Sequence, residues 1–486
     1  MMIVRPFVRR AAAFAAVAIV LAGALPVRAA DPPATVLAAD TPLKTASGAL
    51  FTAPKSWTVA GGGQMTVLTA PEGDVHVAVV DVTGAETGRD ATARAWLAYQ
   101  PSFKRTVSRA VDLPAREGWD AIAVVSYETS PAEHAVVQGN ALRKGTTWTV
   151  LLLEGNAATF EKRGAQVGLI AESVRPGGFV RETFAGRAAH RLTAERIAAL
   201  KSFITTSMDQ LHVPGTAIAL IDHGKVVFEG GFGVRNVSTS QPVDANTLFM
   251  VASNTKGMST LLLSELVDQG KLRWDEPVVD VFPTFRLGDA ATTKSVLVKH
   301  LVCACTGLPR KDLEWIFTTT PQTPVTKTFD FLAATAPTSK FGEVFQYNNL
   351  MATAAGYIGG HVAYPQMEMG AAYDRAMQTM VFDPLGMRST TFDTTKARAG
   401  DHADPYGFDI DGKTAPDNLA IDDAIAPYRP AGGAWSSVHD MTRYEQSCVP
   451  RYCSAWTDSR WTSAHSWHIF GRACRGVGRR LGTERV

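Results

Sequence analysis

Apolar positions along this chain change period more than once, and the changes divide it into two bodies. Between about Thr41 and Pro176, alternating runs such as His76–Val82, Ala121–Ser126 and Thr147–Leu153 predict strands, with a hairpin turning through Arg143-Lys-Gly145. Helical spacing over Ala91–Tyr99 and Thr159–Val174 completes a small α+β domain, expected to span residues 31–176. Its sequence shows no catalytic cluster, so it reads as a structural or docking module. Pro176-Gly-Gly178 opens a linker, residues 177–191.

From about Thr193 the period becomes 3.6. Ile197, Leu200, Ile204, Met208 and Leu211 fall on one stripe of a helix, which is expected to be core. Further on, the apolar run Thr247–Ala252 leads into Met258, Leu261, Leu262 and Leu266 at helical spacing, with Gly270 placed as a stop. That pattern sets Ser253 at a buried helix N-terminus and puts Lys256 one turn further along. Residues i and i+3 share a helix face, so the amine can reach the hydroxyl. A serine hydroxyl at its normal pKa is a poor nucleophile, and a lysine kept neutral can act as its base. The helix dipole and free N–H groups at such a terminus favour a developing oxyanion. Farther along, Tyr347-Asn348-Asn349 follows a strand-like Glu343–Gln346. A phenol there can relay protons, and an amide can hold both the lysine and a substrate carbonyl. Taken singly, Ser-x-x-Lys also fits a solvated helix face and Tyr-Asn-Asn also fits a turn.

Together these motifs resemble the penicillin-recognising serine hydrolases, in the branch of class C β-lactamases, D-Ala-D-Ala carboxypeptidases and related esterases. The middle motif of that branch reads Tyr-x-Asn, as at Tyr347 and Asn349. The likeness runs from about Leu192 to Tyr444. Val213–Leu220 with Gly230–Gly233 resembles the opening hairpin, turning at Asp222-His-Gly224; Leu266–Leu272, Trp274-Asp275, His300-Leu301, Gly307-Leu-Pro309, Phe382–Met387, Pro430–Gly433 and Trp435-Ser436 resemble further landmarks. The resemblance implies that Ser253 is acylated, Lys256 activates it, Tyr347 relays the proton and Asn349 binds substrate and lysine. It also implies an α+β fold in which a sheet is flanked by a helical region, residues 192–446, with the pocket at their junction. No cofactor and no metal are implied, and the substrate is a small molecule or peptide: a β-lactam, a D-amino-acid peptide or an ester.

One family motif is missing. Relatives end with a strand carrying Lys-Thr-Gly or His-x-Gly, which supplies an oxyanion N–H; here Lys413-Thr-Ala415 precedes Pro430–Gly433, and Arg480-Leu-Gly482 lacks a strand pattern. Loss of one oxyanion donor costs about 10²–10³ in turnover. The domain is therefore expected to be incomplete at its C-terminus and to leave a long sheet edge open. Residues 447–486 differ in character, with seven Arg, no Lys and three of the five Cys. They read as a frame lost near Gln446–Cys448. Cys448, Cys453, His465 and His468 approach a zinc-finger spacing but miss it twice. A rival reading of the whole chain is a catalytically impaired relative that binds ligand without turnover.

Composition fits a globular enzyme: 486 residues, 46% hydrophobic and 19% charged, with a net charge of +2 that predicts no nucleic-acid partner. Arg9-Arg10, the apolar Ala11–Leu25 and Val27-Arg-Ala29 predict a signal peptide over residues 1–30, and so a periplasmic or secreted protein without stable membrane insertion. Cys303 and Cys305, two apart, are expected to be a buried thiol pair, poorly placed for a mutual disulfide.

Overall fold

The computed structural model describes residues 34–409, 413–418 and 420–448. The expected signal peptide and nearly all of the basic tail lie outside the described residues. Among those described, no helix is long and apolar enough to cross a membrane.

The N-terminal body is an antiparallel sheet of eight strands. In spatial order they are Thr35–Val36, Thr58–Gly62, Met65–Thr69, Val75–Thr83, Thr147–Asn156, Ala135–Lys144, Ala121–Tyr127 and Val107–Leu113. The expected hairpin is present, with Thr147 opposite Lys144. Helix Gly88–Tyr99 covers one face, where Trp96 stacks on Phe103 with ring centroids 4.1 Å apart. The other face closes over Trp57, Phe51 and Ile170. The expected helix over Thr159–Val174 is two helices, Ala157–Lys162 and Gly164–Ser173, broken at Arg163. Asn156 starts the first by accepting from the N–H groups of Ala158 and Thr159. Residues 177–193 carry no regular structure.

The second body has its own core around two helices, Thr255–Asp268 and Asn349–Ala363. Both are buried on nearly every side, which explains why their apolar residues do not keep to one stripe. Glycines let the second helix sit close to its neighbours. A Cβ on Gly356 would come within 2.4 Å of the Pro430 side chain, and one on Gly360 within 2.5 Å of the Tyr373 backbone. Pro430 is thereby seated directly on the helix pair. The Arg429 guanidinium fixes the same segment from the other side with a two-point ion pair to Asp374, at 2.7 and 2.9 Å.

Beside this helical core lies a small sheet. Gly215–Asp222 and Lys225–Asn236 form the expected hairpin, with His223 and Gly224 both at positive φ, as tight hairpin turns require. Among the described residues Gly215–Asp222 pairs only with Lys225–Asn236, and all its positions are half-buried. The helix expected from Thr193 forms over Ala194–Leu211, but its stripe is not core. No residue of it is fully buried, and Leu211 is 63% exposed. A three-stranded sheet offers too narrow a face to bury five apolar side chains.

The close approach at Gly356 yields a test. Gly356→Ala is expected to destabilise the protein by about 1–3 kcal/mol through overpacking against Pro430. Gly168→Ala, on a helix with open space around the added methyl, is expected to be neutral or to stabilise by about 0.5–1 kcal/mol. Urea unfolding of the two variants separates these outcomes.

Candidate active site

The chain brings Ser253, Lys256 and Tyr347 to one point. Lys256 Nζ lies 3.0 Å from Ser253 Oγ, and the Tyr347 hydroxyl donates to the same oxygen at 2.8 Å. Lys256 also sits 4.9 Å from the centre of the Tyr347 ring. Ser253 is not at a buried helix end as the apolar pattern suggested. It occupies the middle of a single 3-10 turn, Ala252–Asn254, just ahead of the helix, and is exposed. The turn projects the hydroxyl away from the helical core into a cleft, whereas Thr255, the first helical residue, is buried.

Two features hold the turn. Ala252 adopts φ 44°, a left-handed backbone that a non-glycine residue rarely takes. Strain of this kind persists only where the surroundings impose it. Here Thr255 Oγ1 donates to the Ala252 carbonyl at 2.7 Å and accepts from the Ala434 N–H at 3.2 Å, while Val251 N–H donates to the Ala434 carbonyl. Phe249–Met250 pairs with Trp435–Ser436 in the same stretch. Pro430–Ser436, noticed in the sequence as a landmark, is the clamp on the serine turn.

The same segment directs the lysine. Nζ of Lys256 donates to the Ala431 carbonyl at 2.5 Å, and Ser259, one turn on, donates to the Pro430 carbonyl at 2.9 Å. Burial lowers the Lys256 pKa by disfavouring the charged ammonium, against the pull of Tyr347 and Asp312. The Arg310 guanidinium adds to the depression. An amine so placed can lose its proton more readily than a surface lysine and take one from a neighbouring hydroxyl.

Tyr347 is carried by an irregular segment, not by a strand: Glu343–Gln346 lacks strand pairing. Gln346 N–H donates to the Ala304 carbonyl and Gly342 N–H to that of Cys305, while the Gln346 side chain bonds Ser339 and Thr338. These side-chain bonds replace a ladder. Asn348 caps the following helix by accepting from Met351 N–H. Asn349 was expected to hold Lys256. Its amide instead donates to both oxygens of Asp312, at 2.9 and 3.0 Å. Lys256 is held by a backbone carbonyl in its place.

Cys303 and Cys305 form a disulfide, contrary to the expected thiol pair. Ala304 between them takes φ 51°, which folds the three residues tightly enough to set the Cα atoms 5.1 Å apart, within disulfide range. Ala304 lines the cleft and accepts from Gln346, so the ring supports the tyrosine segment.

The cleft measures about 470 Å³, and Leu301, Phe345, Met351 and Met441 give it a mainly apolar wall. Glu445, whose carboxyl pKa burial raises, is its acidic member and was not singled out in the sequence. Asp312 and the Ala431 carbonyl were missed as well; Asp312 opens the short helix Asp312–Ile316 with no motif spacing, and a carbonyl leaves no side-chain signal. Lys413 is not among the lining residues: Thr414–Pro416 pairs with Tyr406–Phe408, and Thr414 bonds the His212 carbonyl. Among the described residues no His, Cys, Asp and Glu side chains gather as a metal site. The candidate zinc spacing and Arg480-Leu-Gly482 lie outside the described residues.

The chain is similar to known proteins over its second body. A family model described as Beta-lactamase matches residues 200–483. The chain is 24% identical over 224 residues to protein flp of Staphylococcus aureus, covering 46% of this chain and 43% of that protein. It is 29% identical over 245 residues to the unguisins hydrolase ungD of Aspergillus violaceofuscus, covering 48% and 41%. The chain thus spans less than half the length of these curated relatives. Among solved structures, the D-alanine carboxypeptidase AmpC from Burkholderia cenocepacia is 22% identical with a TM-score of 0.42, covering 58% of this chain and 69% of that one.

If Lys256 is the base, Lys256→Met should lower the rate of labelling by a serine-reactive fluorophosphonate by about 10²–10⁴. Only the neutral amine accepts a proton, so the wild-type rate should climb with pH. Because the pKa is depressed, that climb should be centred below the ordinary lysine value of 10.5. A rate flat in pH, or a variant that labels as fast as wild type, contradicts the assignment.

Proposed function

We propose that this chain, which belongs to the β-lactamase family, is an exported serine hydrolase that works through an acyl-enzyme on Ser253. The observation that carries the reading is the convergence of Lys256 and Tyr347 on one serine oxygen, at 3.0 and 2.8 Å. In the proposed reaction neutral Lys256 takes the hydroxyl proton as Ser253 Oγ bonds to the substrate carbonyl carbon. The proton then passes by way of Tyr347 to the departing nitrogen or oxygen as the scissile bond breaks. Water repeats the attack on the ester, Lys256 again removing the proton, and Ser253 is regenerated.

The substrate class that suits this chemistry is a β-lactam, a D-amino-acid peptide or an ester. The apolar wall of the cleft favours an acyl group with an apolar side chain. In the proposal Asn349, whose amide nitrogen is committed to Asp312, offers its amide carbonyl to substrate. Export to the periplasm or beyond is supported by the charged and apolar order of the first thirty residues.

A fluorescent penicillin and a fluorescent fluorophosphonate, used in parallel, should each label wild type and spare Ser253→Ala. Equal labelling of the two proteins refutes the acyl-enzyme at Ser253. Retention of penicillin by wild type without a covalent adduct favours the rival reading, a family member that binds and does not turn over.

A further inference from the structure

The N-terminal body reaches the active site through one helix end. Ala157–Lys162 closes at Arg163, and the residues on either side of Lys162 meet two different segments of the hydrolase body. Burial raises the pKa of the Glu161 carboxyl; the Arg310 guanidinium and backbone N–H pull it back down, while Glu314 and Asp312 raise it further, so this side chain is packed among groups of the Arg310–Glu314 segment. Arg163 Nη2 stands 3.7 Å from Glu343. Arg163 is not a loose surface cation: its side chain is 4% exposed, and Glu72 holds it at 2.6, 3.0 and 3.1 Å. Burial would raise the Glu72 carboxyl, but the Arg163 and Lys162 bonds bring it down to about 2, so this cluster stays charged.

Both contacted segments support the site described above. The Arg310 guanidinium lies over the Tyr347 ring at 5.1 Å, and Asp312, two residues on, takes both bonds from Asn349 and a third from Trp315 Nε1. Glu343 stands four residues before Tyr347 in the segment tied to Ala304 and Cys305. Its carboxylate also accepts from Lys340 N–H, shaping the turn that leads to the tyrosine. Each contact alone is weak, because Glu161 and Glu343 keep part of their surface in water. Acting together, they tie the Arg310–Asp312 segment and the segment leading to Tyr347 to one helix end, and so limit how far these two can move apart.

We infer that the N-terminal domain is a brace for catalysis, with Glu161, Arg163 and Glu343 as positioning residues that hold the Arg310–Asp312 segment and the Tyr347 segment in register. This rests on the proposed acyl-enzyme at Ser253. The brace acts on where Tyr347 and Asn349 stand, so its loss should slow the chemical step more than it weakens initial binding. Misplacement of a catalytic group by an ångström costs up to about a hundredfold in rate.

The test is the full-length chain carrying Glu161→Gln and Glu343→Gln together. Both substitutions keep side-chain size and leave the Arg163–Glu72 cluster intact. With a fluorophosphonate at increasing concentration, the maximal labelling rate should fall about tenfold to a hundredfold while the half-saturating concentration stays within about twofold. Hydrogen exchange should quicken in residues 303–314 and 342–350 and stay unchanged in the N-terminal sheet. Unchanged exchange in those two segments overturns the inference. So does an unchanged maximal rate in a wild type that labels, or a change confined to half-saturation. A wild type that never labels defeats the acyl-enzyme reading instead, and the exchange comparison then decides the brace by itself.

Discussion

Everything at the serine depends on where Arg429–Ala434 is held. Arg429 is locked to Asp374, Pro430 rests on the bare backbone face at Gly356, and three supports follow from that seat. The Pro430 carbonyl receives Ser259, the Ala431 carbonyl receives Lys256, and Ala434 receives and supplies the bonds that keep Ala252 in its left-handed turn. A carbonyl that accepts from an amine stabilises the charged form. In Lys256 burial nevertheless dominates, against the pull of Tyr347 and Asp312, and leaves the pKa depressed. The amine is therefore aimed by one interaction and poised by another.

Parts of this were legible in the chain and parts were not. The apolar pattern around Ser253 and Lys256 identifies the helix that carries the lysine, because it follows from a local period of 3.6; that Ser253 stands in a 3-10 turn ahead of that helix does not show in it. The hairpin at Asp222–Gly224 and the strands of the first domain were legible for the same local reason. Tyr347 lies 94 residues from Ser253, and no periodicity links them; only the family resemblance joined the two. Asp312, Glu161 and the Ala431 carbonyl carry no motif, since each matters through a contact between distant segments. The bond expected between Asn349 and Lys256 failed because the Asp312 carboxylate, at the start of a neighbouring short helix, takes both bonds from its amide nitrogen. Cys303 and Cys305 were misjudged because spacing says nothing of a left-handed residue between them.

The amphipathic stripe of Ala194–Leu211 shows the opposite failure. Its period was right, yet its burial was not, because a stripe reports which way a helix faces and not how much there is to face. Gly215–Asp222 is half-buried throughout beside it, with a partner on one side among the described residues. The helical half of the hydrolase domain is densely packed by comparison, and it is this half that sets Ser253, Lys256 and Tyr347. The only strand pairing that helps to hold the serine turn is the separate two-stranded one of Phe249–Met250 with Trp435–Ser436, among the described residues.

The central claim is that Lys256 is an amine able to shed its proton beside Ser253. Direct titration of that side chain by NMR, with lysine labelled at Cε and Nζ and Lys256→Met used for assignment, tests it without assuming any substrate. The Lys256 resonance should titrate clearly below those of the remaining lysines. Titration together with them, or above them, would contradict the claim.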